Sequence, residues 1–484
     1  MTQEIAEDAR SLPVQARADV LVVGAGVSGI AAAVSAARAG AGTILVERSG
    51  LLGGVATSGL MASTTNHLFD GAGRQVVKGF AEEFLDRMAS AGGISPQYKS
   101  PRVPQIPHDP EVFQIVADEM LQQAGAQVIL HCAFSTPAMH EQAVAGATVE
   151  IASGRAAILS TITVDCTGNA DLAARAGAPV RTVKSSGVSL EFRMANVNLD
   201  EAYGYFKQHP DEYPILTDIA TTFEEFESNW LERGIFHIPH GGGAKMRMVQ
   251  DKIAAGEFSS RSGTAFGLDH LGMYALHGTD TVIINSNFFE IDPLDVQALT
   301  RAQREGRRRC FEVAKFLREN MPGFQRALIV ATAPEIGVRM ARCIEGQYTM
   351  TAQDRDSGAR HDDVVGMGSE VIRSLRPPDP FDIPYRILIP RGVTVGAGPR
   401  ACPIQIDSLL VAGAKTVSTE RPGLIRGQVH GMTLGQAAGV AAALCARNRV
   451  APRSLDIRSL QQALLKQCVY LGDEQRLRIL GLAA

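Results

Sequence analysis

Short apolar runs separated by glycine turns open the chain. ADVLVVG (18–24) is rich in β-branched residues, IAAAVSAARAG (30–40) is a longer stretch of small residues that ends at a glycine, and TILVE (43–47) is a second short run. Run length and residue type predict a strand, a helix and a second strand. Together they predict a βαβ unit, the building block of a parallel sheet covered by helices.

The turn between the first predicted strand and helix has G-x-G-x-x-G spacing. In such a turn the first glycine allows a tight bend, the second lets the backbone approach a pyrophosphate, and the third lets helix and strand pack closely. Free N–H groups at the helix N-terminus hold phosphate charge, and an acidic residue about 20 positions later accepts ribose hydroxyl hydrogens. The residues assigned to these roles are Gly24, Ala25, Gly26, Val27, Ser28, Gly29 and Glu47. Dinucleotide binding is therefore predicted, with NAD and FAD both open at this point.

Four later segments carry a further pattern. They are RSGLLGGVATSGLM (48–61), VDCTGNADLAARAGAP (164–179), APEIGVRMARCIEGQYTMT (333–351) and DSLLVAGAKTVSTE (407–420). In this order they resemble the FAD-dependent oxidoreductase family that is related to the glutathione-reductase and fumarate-reductase flavoproteins. The resemblance implies FAD rather than NAD. No second G-x-G-x-x-G unit that would hold NAD(P)H accompanies the first.

The resemblance also implies which residues contact FAD. In the family a glycine pair runs beside the cofactor, the turn at 167–168 passes its adenosine side, and the stretch RPGLIRGQVHGMTLGQAAGVAAALCA (421–446) closes the site over the flavin. The implied residues are Arg48, Gly53, Gly54, Val55, Ala56, Thr167, Gly168, Gly413, Ala414, Gly423 and Arg426. The wider superfamily has a G-D pair where this chain has Ala412-Gly413-Ala414, so the ribityl contact must come from elsewhere.

The element pattern predicts an α/β fold with a discontinuous Rossmann-like FAD-binding domain and a second, α+β, substrate-covering domain. The predicted segments are 15–185 and 399–450 for the FAD-binding domain, 186–398 for the covering domain and 451–484 for a C-terminal helical tail. Asp109, Pro110 and Gly125 predict the start and end of one helix. Residues 295–320 predict another, with Cys310, Val313, Phe316 and Leu317 on one face.

Arg and His side chains near the predicted flavin site are the candidates for catalysis. His430 suits proton transfer, because the unperturbed pKa of histidine is near 6.5, although it could instead only cap the helix that follows. Arg426 could be a cation near the flavin or a clamp for a substrate carboxylate, or form an ordinary ion pair. Arg339, Tyr385 and Arg386 are predicted to line the substrate pocket, against the alternative of structural salt bridges or a core hydroxyl.

Three further histidines are candidates for other chemistry. His67 follows the second glycine passage and could face the flavin. His237 and His240 lie three residues apart without a neighbouring carboxylate or thiol, which falls short of a metal site, so a loop or substrate contact is favoured. No metal is predicted.

Overall charge and cysteine content narrow the function classes. The chain has 47 basic and 51 acidic residues and a net charge of -4, which disfavours nucleic acid as a partner. Seven cysteines without C-x-x-C spacing and no predicted signal peptide or membrane span favour a cytoplasmic protein. A small-molecule substrate is expected, the electron acceptor is not specified, and a homo-oligomer is compatible with the sequence.

The main hypothesis is an FAD-dependent oxidoreductase that dehydrogenates or oxidises a small organic substrate by hydride transfer to flavin N5. Two alternatives stay open: a flavin monooxygenase that activates oxygen, and a non-catalytic FAD-binding subunit.

Overall fold

The computed structural model describes residues 10–213, 222–240, 244–258, 261–262, 265–266, 268–286, 288–370, 380–395 and 402–483. The predicted domain boundary at 398/399 lies outside these residues, and the division into four segments stays a prediction.

A seven-stranded sheet lies at the centre of the segments 15–185 and 399–450, which are predicted to bind FAD and are called the cofactor half below. Its order is β5-β2-β1-β8-β7-β6, and β25 also pairs with β8. The strands are β1 Val14–Val23, β2 Thr43–Val46, β5 Gln127–Ile129, β6 Ala133–His140, β7 Ala143–Ile151, β8 Gly154–Asp165 and β25 Leu409–Val411. The pairs β1–β2, β2–β5, β1–β8 and β8–β25 are parallel. The pairs β6–β7 and β7–β8 are antiparallel. A strand from near residue 410 thus completes the sheet that the first residues begin.

Helices cover this sheet and extend into the rest of the chain. Their bounds are α1 Val27–Arg38, α2 Phe80–Ser90, α3 Pro110–Ala124, α4 Asp171–Arg175, α5 Leu199–Gln208, α6 Phe223–Arg233, α7 Arg247–Ala254, α8 Val296–Asn320, α9 Ala352–Asp356, α10 Gln428–Asn448, α11 Ile457–Lys466 and α12 Glu474–Ile479. The predicted ends of α3 are confirmed: Asp109 accepts N–H bonds as N-cap, and Gly125 closes the helix in a left-handed conformation. The predicted apolar face of α8 is buried.

Two antiparallel five-stranded sheets lie within the segment 186–398 that the sequence predicts to cover the substrate, and this segment is called the cap half below. One has the order β13-β14-β17-β10-β19 and the other β12-β15-β16-β11-β18. Their strands are β10 Ser186–Ser189, β11 Phe192–Ala195, β12 His237–Ile238, β13 Arg261–Ser262, β14 Ala265–Phe266, β15 Gly272–Ala275, β16 Val282–Asn285, β17 Phe288–Ile291, β18 Leu328–Thr332 and β19 Gly337–Val338. The apolar run 188–197 contributes to both sheets, because the chain leaves one after Ser189 and enters the other at Phe192.

Four two-stranded sheets complete the described secondary structure. They are β3 Ser63–Thr65 with β4 Gln105–Pro107, β9 Val180–Thr182 with β20 Arg342–Ile344, β21 Val364–Gly368 with β22 Phe381–Pro384, and β23 Val393–Val395 with β24 Cys402–Ile404. The pair β9–β20 is antiparallel and joins the end of the first segment to the chain that returns from the cap.

The glycines of α10 allow unusually close packing against α1. A Cβ added at Gly435 would lie 2.1 Å from the carbonyl oxygen of Ser28, and one at Gly439 would lie 2.2 Å from that of Ala32. Both distances are far inside van der Waals contact, so only glycine fits without moving the helices apart. The helix cost of roughly 1 kcal/mol per glycine is offset by this backbone-to-backbone contact.

Helix α10 is also long and apolar enough to cross a membrane. It is 94% buried over its most apolar window. A buried core helix of a soluble protein passes the same test, so this is weak evidence for a membrane span.

Candidate FAD site

A cavity of about 390 Å³ opens at the carboxyl ends of β1, β2 and β8. Its volume is within the range of roughly 300–1,000 Å³ that small-molecule sites occupy. Five stretches of chain meet there: the first glycine turn, the end of β2, the second glycine passage, the turn after β8 and the segment after β25. The edge where parallel strands end is where α/β sheets bind nucleotides.

The N-terminus of α1 points into this cavity without a side-chain cap. Gly26 is the N-cap residue, no side chain bonds the first-turn N–H groups, and the first turn has no acidic residue. The positive end of the helix dipole is therefore available to an anion. A Cβ at Gly24 would lie 2.6 Å from the carbonyl oxygen of Cys166, and one at Gly29 would lie 1.8 Å from that of Gly24. The first and third glycines thus have the tight-turn and packing roles that their spacing predicts.

Glu47 fixes the shape of the turn from the end of β2. One of its oxygens accepts the N–H of Ala25 at 2.9 Å, and the other accepts the N–H and hydroxyl of Ser49 at 2.9 and 3.0 Å. The carboxylate also lines the cavity, where its remaining lone pairs can accept ribose hydroxyl hydrogens.

The second glycine passage lies directly on the first. Gly53 donates its N–H to the carbonyl of Ala25 at 2.8 Å, and a Cβ at Gly54 would lie 3.1 Å from Cα of Gly26. Gly53 and Gly54 both have positive φ, which glycine adopts without strain. The two passages together form one backbone cradle.

A second helix N-terminus reaches the same cavity from the chain's C-terminal part. Gly427 caps α10 without a side-chain bond, and Arg426, Gly427 and Gln428 line the cavity. The side chain of Gln428 bridges Thr64 and Met61 at 2.8 Å each, which fixes the helix start against the second passage. Two helix dipoles thus point at one space, and that arrangement suits a ligand with a pyrophosphate at one end and an electron-rich ring at the other.

Most of the residues predicted to contact FAD line the cavity. They are Gly24, Gly26, Val27, Ser28, Glu47, Arg48, Gly53, Gly54, Val55, Thr167, Gly168, Gly413, Ala414 and Arg426. Ala25, Gly29, Ala56 and Gly423 lie outside the lining, where Ala25 and Gly29 shape the turn and Gly423 packs on Met340. Lining residues that the prediction missed include Lys415, Arg175 and Phe134.

Lys415 and Arg175 add positive charge to the cavity. Lys415 donates to the carbonyl of Val338 at 2.7 Å, and burial, then the nearby charge of Arg426, lowers the pKa of its ammonium to about 8. Arg175 lies over the ring of Phe134, 5.3 Å from its centre. Both cations belong to the quoted segments 164–179 and 407–420, so charge within those segments was the available signal.

Tyr385 and Arg386 do not lie at the cavity. The hydroxyl of Tyr385, in the core, donates to the carbonyl of Pro452 at 3.0 Å, and Arg386 makes a two-point ion pair with Asp363 at 2.9 and 3.2 Å. These are the core-hydroxyl and salt-bridge alternatives of the prediction.

His430 lies in the first turn of α10 and is fully buried. Burial, and to a smaller extent His67, lowers the pKa of its imidazole to about 3. The imidazole is therefore neutral at pH 7, and its ordinary pKa near 6.5 does not apply in the folded protein. Its ring stacks on that of His67 at 4.4 Å between centres, and neither histidine lines the cavity.

A basic cluster lies on the cap sheet instead. Arg339 follows β19 and lies over the ring of Phe288, 4.9 Å from its centre, and His240 and His270 each lie 5.8 Å from the same ring. The surrounding protein, then the charges of Arg339, His270 and Arg426, lower the pKa of His240 to about 4. The side chain of His240 is nevertheless exposed to solvent. We call Arg339, His240 and His270 the basic cluster.

A buried acid lies behind this cluster. The hydroxyl of Tyr274 is 2.9 Å from the carbonyl oxygen of Leu60 and 2.5 Å from Oε2 of Glu191. A hydroxyl has one hydrogen, so both contacts are hydrogen bonds only when Glu191 carries a proton. Burial raises the pKa of Glu191 to about 8, which agrees with a protonated side chain at neutral pH.

The cavity at the ends of parallel strands, with its two uncapped helix N-termini, defines a Rossmann-like nucleotide-binding protein. A profile of the family described as FAD dependent oxidoreductase matches residues 19–464. The chain belongs to that family, and its cofactor is FAD. The cradle described above fits this cofactor.

The chain is also similar to several solved structures. Glycine oxidase from Geobacillus kaustophilus is 11% identical, with 90% of this chain and 95% of that chain covered and a TM-score of 0.40. p-Nitrophenol 4-monooxygenase PnpA from Pseudomonas putida DLL-E4 is 10% identical, with 96% and 84% covered and a TM-score of 0.41. A geranylgeranyl bacteriochlorophyll reductase-like protein from Thermoplasma acidophilum is 12% identical, with 94% and 84% covered and a TM-score of 0.41. A search of curated proteins gives no significant match.

Proposed function

We propose that this protein dehydrogenates or oxidises a small organic substrate that carries a carboxylate or a similar anionic group. The observation that carries the proposal is the basic cluster on Phe288, which lies on the cap sheet within electrostatic reach of Arg426 at the cofactor cavity. Bound FAD supplies a two-electron acceptor that takes hydride at N5.

Arg339 is the residue proposed to hold the substrate anion. Its guanidinium is placed by the Phe288 ring, and its planar donors match a carboxylate in two-point geometry. Arg426, on the cavity side, adds a second positive charge. A substrate held between these two arginines would have its reacting carbon next to the cavity, which agrees with the clamp role that the sequence predicts for Arg426.

His240 is proposed to accept the proton that leaves the substrate. Removal of hydride from a C–H next to an amine or hydroxyl also requires loss of one N–H or O–H proton. The lowered pKa keeps the imidazole of His240 neutral at pH 7, so it has a lone pair for that proton. This proposal gives the acid/base role to an exposed histidine instead of the buried His430.

The test is anaerobic mixing of the FAD-loaded protein with a panel of amino acids and hydroxy acids, followed at about 450 nm. Bleaching by one of them without an added reductant supports the proposal, because the flavin is then reduced by the substrate itself. A requirement for an external reductant, with oxygen incorporated into the product, would assign a monooxygenase instead. No reaction by either route would favour the non-catalytic subunit.

Arg339→Ala tests the substrate role of the cluster. Loss of a charge-assisted hydrogen bond costs about 1.5–3 kcal/mol, so KM should rise about 10- to 100-fold while FAD stays bound. Arg308→Ala is the matched control, since Arg308 lies on the exposed face of α8 beside Glu305 and Glu312. Equal kinetics for the two variants would contradict the assigned role of Arg339.

A further inference from the structure

Three buried ligand-type side chains meet next to the FAD cavity. His67 follows β3, Glu370 follows β21, and His430 lies in the first turn of α10. Each offers one ligand atom such that all three atoms lie within 4.8 Å of one another. Their exposures are 6%, 7% and 0%. Two imidazoles and one carboxylate are thus gathered in the protein interior.

His430 has few hydrogen-bond partners for a buried imidazole. Among the residues that the structure describes, neither Nδ1 nor Nε2 has a partner in good hydrogen-bond geometry, and the backbone groups of Ile425 and Ser369 are close enough to raise its pKa without being well aligned. A buried polar group without a partner costs about 1–3 kcal/mol. A ligand that takes a nitrogen lone pair would remove that cost, and the adjacent imidazole and carboxylate limit what such a ligand can be.

Glycines make room for the histidine pair. A Cβ at Gly427 would lie 2.7 Å from Cδ2 of His67 and 3.2 Å from Nδ1 of His430, and one at Gly368 would lie 3.1 Å from Nε2 of His430. Phe381 packs on the same ring at 5.8 Å. The ring of His430 is therefore held between backbone and an aromatic side chain.

We propose that His67, Glu370 and His430 bind one divalent first-row transition metal ion, of the zinc and ferrous type. Imidazole nitrogens and a carboxylate are ligands for this class of ion. Two neutral imidazoles and a carboxylate carry one negative charge, which a divalent cation more than balances. Three protein ligands leave at least one position for water or another ligand. Hard cations such as Ca²⁺ prefer all-oxygen sites and are not expected here.

The site borders the cofactor. Gly427 contacts both histidines and lines the FAD cavity, so a bound cation would add positive charge near the flavin end of the cavity. Positive charge there favours the reduced, anionic form of a flavin. Metal removal should therefore lower the flavin reduction potential.

The experiment begins with protein produced without a histidine tag and with FAD retained. After treatment with EDTA, Zn²⁺ is titrated in by calorimetry, and Co²⁺ binding is followed by visible difference spectra. One equivalent per chain is expected. His67→Gln and Glu370→Gln should each weaken binding at least tenfold, whereas His140→Gln, at an exposed position on β6, should leave it unchanged.

Two outcomes would overturn the proposal. One is the absence of stoichiometric binding by the wild-type protein, and the other is unchanged binding in both ligand variants. If the variants do not fold, X-ray absorption at the zinc edge of the wild-type protein decides the question. Scattering from two imidazoles supports the site, and a sulfur or all-oxygen shell rejects it. The 450 nm band, recorded for every sample, separates loss of metal from loss of FAD.

Discussion

The cofactor half and the cap half differ in how their defining residues are distributed along the chain. The cofactor cradle is built from backbone, so its signal is glycine at fixed spacing within a few short segments. The basic cluster of the cap is built from side chains at 240, 270 and 339, which come from three separate segments around Phe288. Recognition of a dinucleotide by backbone can therefore be predicted from local spacing, whereas recognition of a substrate by side chains requires the fold.

The largest effect is expected when a side chain is introduced into the contact between α1 and α10 in the cofactor half. Gly435→Val places at least two carbons where Ser28 already contacts α10. Overpacking of this kind typically costs about 1–3 kcal/mol and more where backbone must move, so at least ~3 kcal/mol is expected. Thermal unfolding and retained FAD are the measurements. Full stability with full FAD content would mean that the helices can separate freely.

The second test concerns the buried acid of the cap. The folded pKa of Glu191 is about 8 against an ordinary value of 4.5, so between these values the unfolded state loses a proton that the folded state keeps. Stability should fall with rising pH over that window by about 1.4 kcal/mol per unit. Glu191→Gln, which mimics the protonated acid, should lack this slope.

Denaturant unfolding of wild type and Glu191→Gln at about pH 6 and pH 7.5 measures the difference. The two proteins should diverge by about 2 kcal/mol across that interval, with the variant more stable at the higher pH. Parallel curves would show that Glu191 is ionised in the folded protein.

The third test returns to the cofactor half. Glu47→Gln keeps the shape of the side chain but removes the charge that holds the N–H groups of Ala25 and Ser49. Hydrogen bonds to charged groups are worth about 1.5–3 kcal/mol, so the Kd for FAD should rise about 10- to 100-fold in a fluorescence titration. Glu119→Gln on the exposed face of α3 is the control. An unchanged Kd would remove Glu47 from the cofactor site.

The smallest effect is expected for a helix glycine in the cap. Gly204 lies within α5, and a Cβ there would meet no atom within 4 Å. Gly204→Ala should therefore stabilise the protein by about 0.5–1 kcal/mol through helix propensity alone, measured as an increase in Tm. Destabilisation would mean that helix glycines are constrained in both halves and that the contrast with Gly435 is not a matter of packing.

Much of the cofactor half could be predicted because its rules are local. The turn at 24–29, the acid at the end of β2, the glycine pair and the caps of α3 each depend on residues close in sequence. The resemblance implied only that the chain returns to the FAD-binding domain near residue 400. The pairing of β25 with β8 was not predicted, since nothing in a three-residue strand specifies a partner some 240 residues earlier.

The predictions that failed concern residues whose surroundings depend on contacts distant in sequence. His430 was assigned from the ordinary pKa of histidine, but burial depends on how α10 packs and no local pattern reports it. Tyr385 and Arg386 lie near the predicted boundary between the cap half and the cofactor half. Their polar atoms instead form hydrogen bonds with Pro452 and Asp363. The grouping of His67 with Glu370 and His430 joins residues some 300 positions apart, which motif spacing cannot detect.

The pairing of β25 with β8 also sets an order of events during synthesis. Roughly 240 residues separate these strands, and at ~5–20 residues per second their translation takes about 12–50 s. During that interval β8 has already been synthesised, and the edge that pairs with β25 is still open. The cap can therefore begin to fold while the FAD cradle still lacks its last strand and α10, so cofactor capture belongs to the final stage of folding.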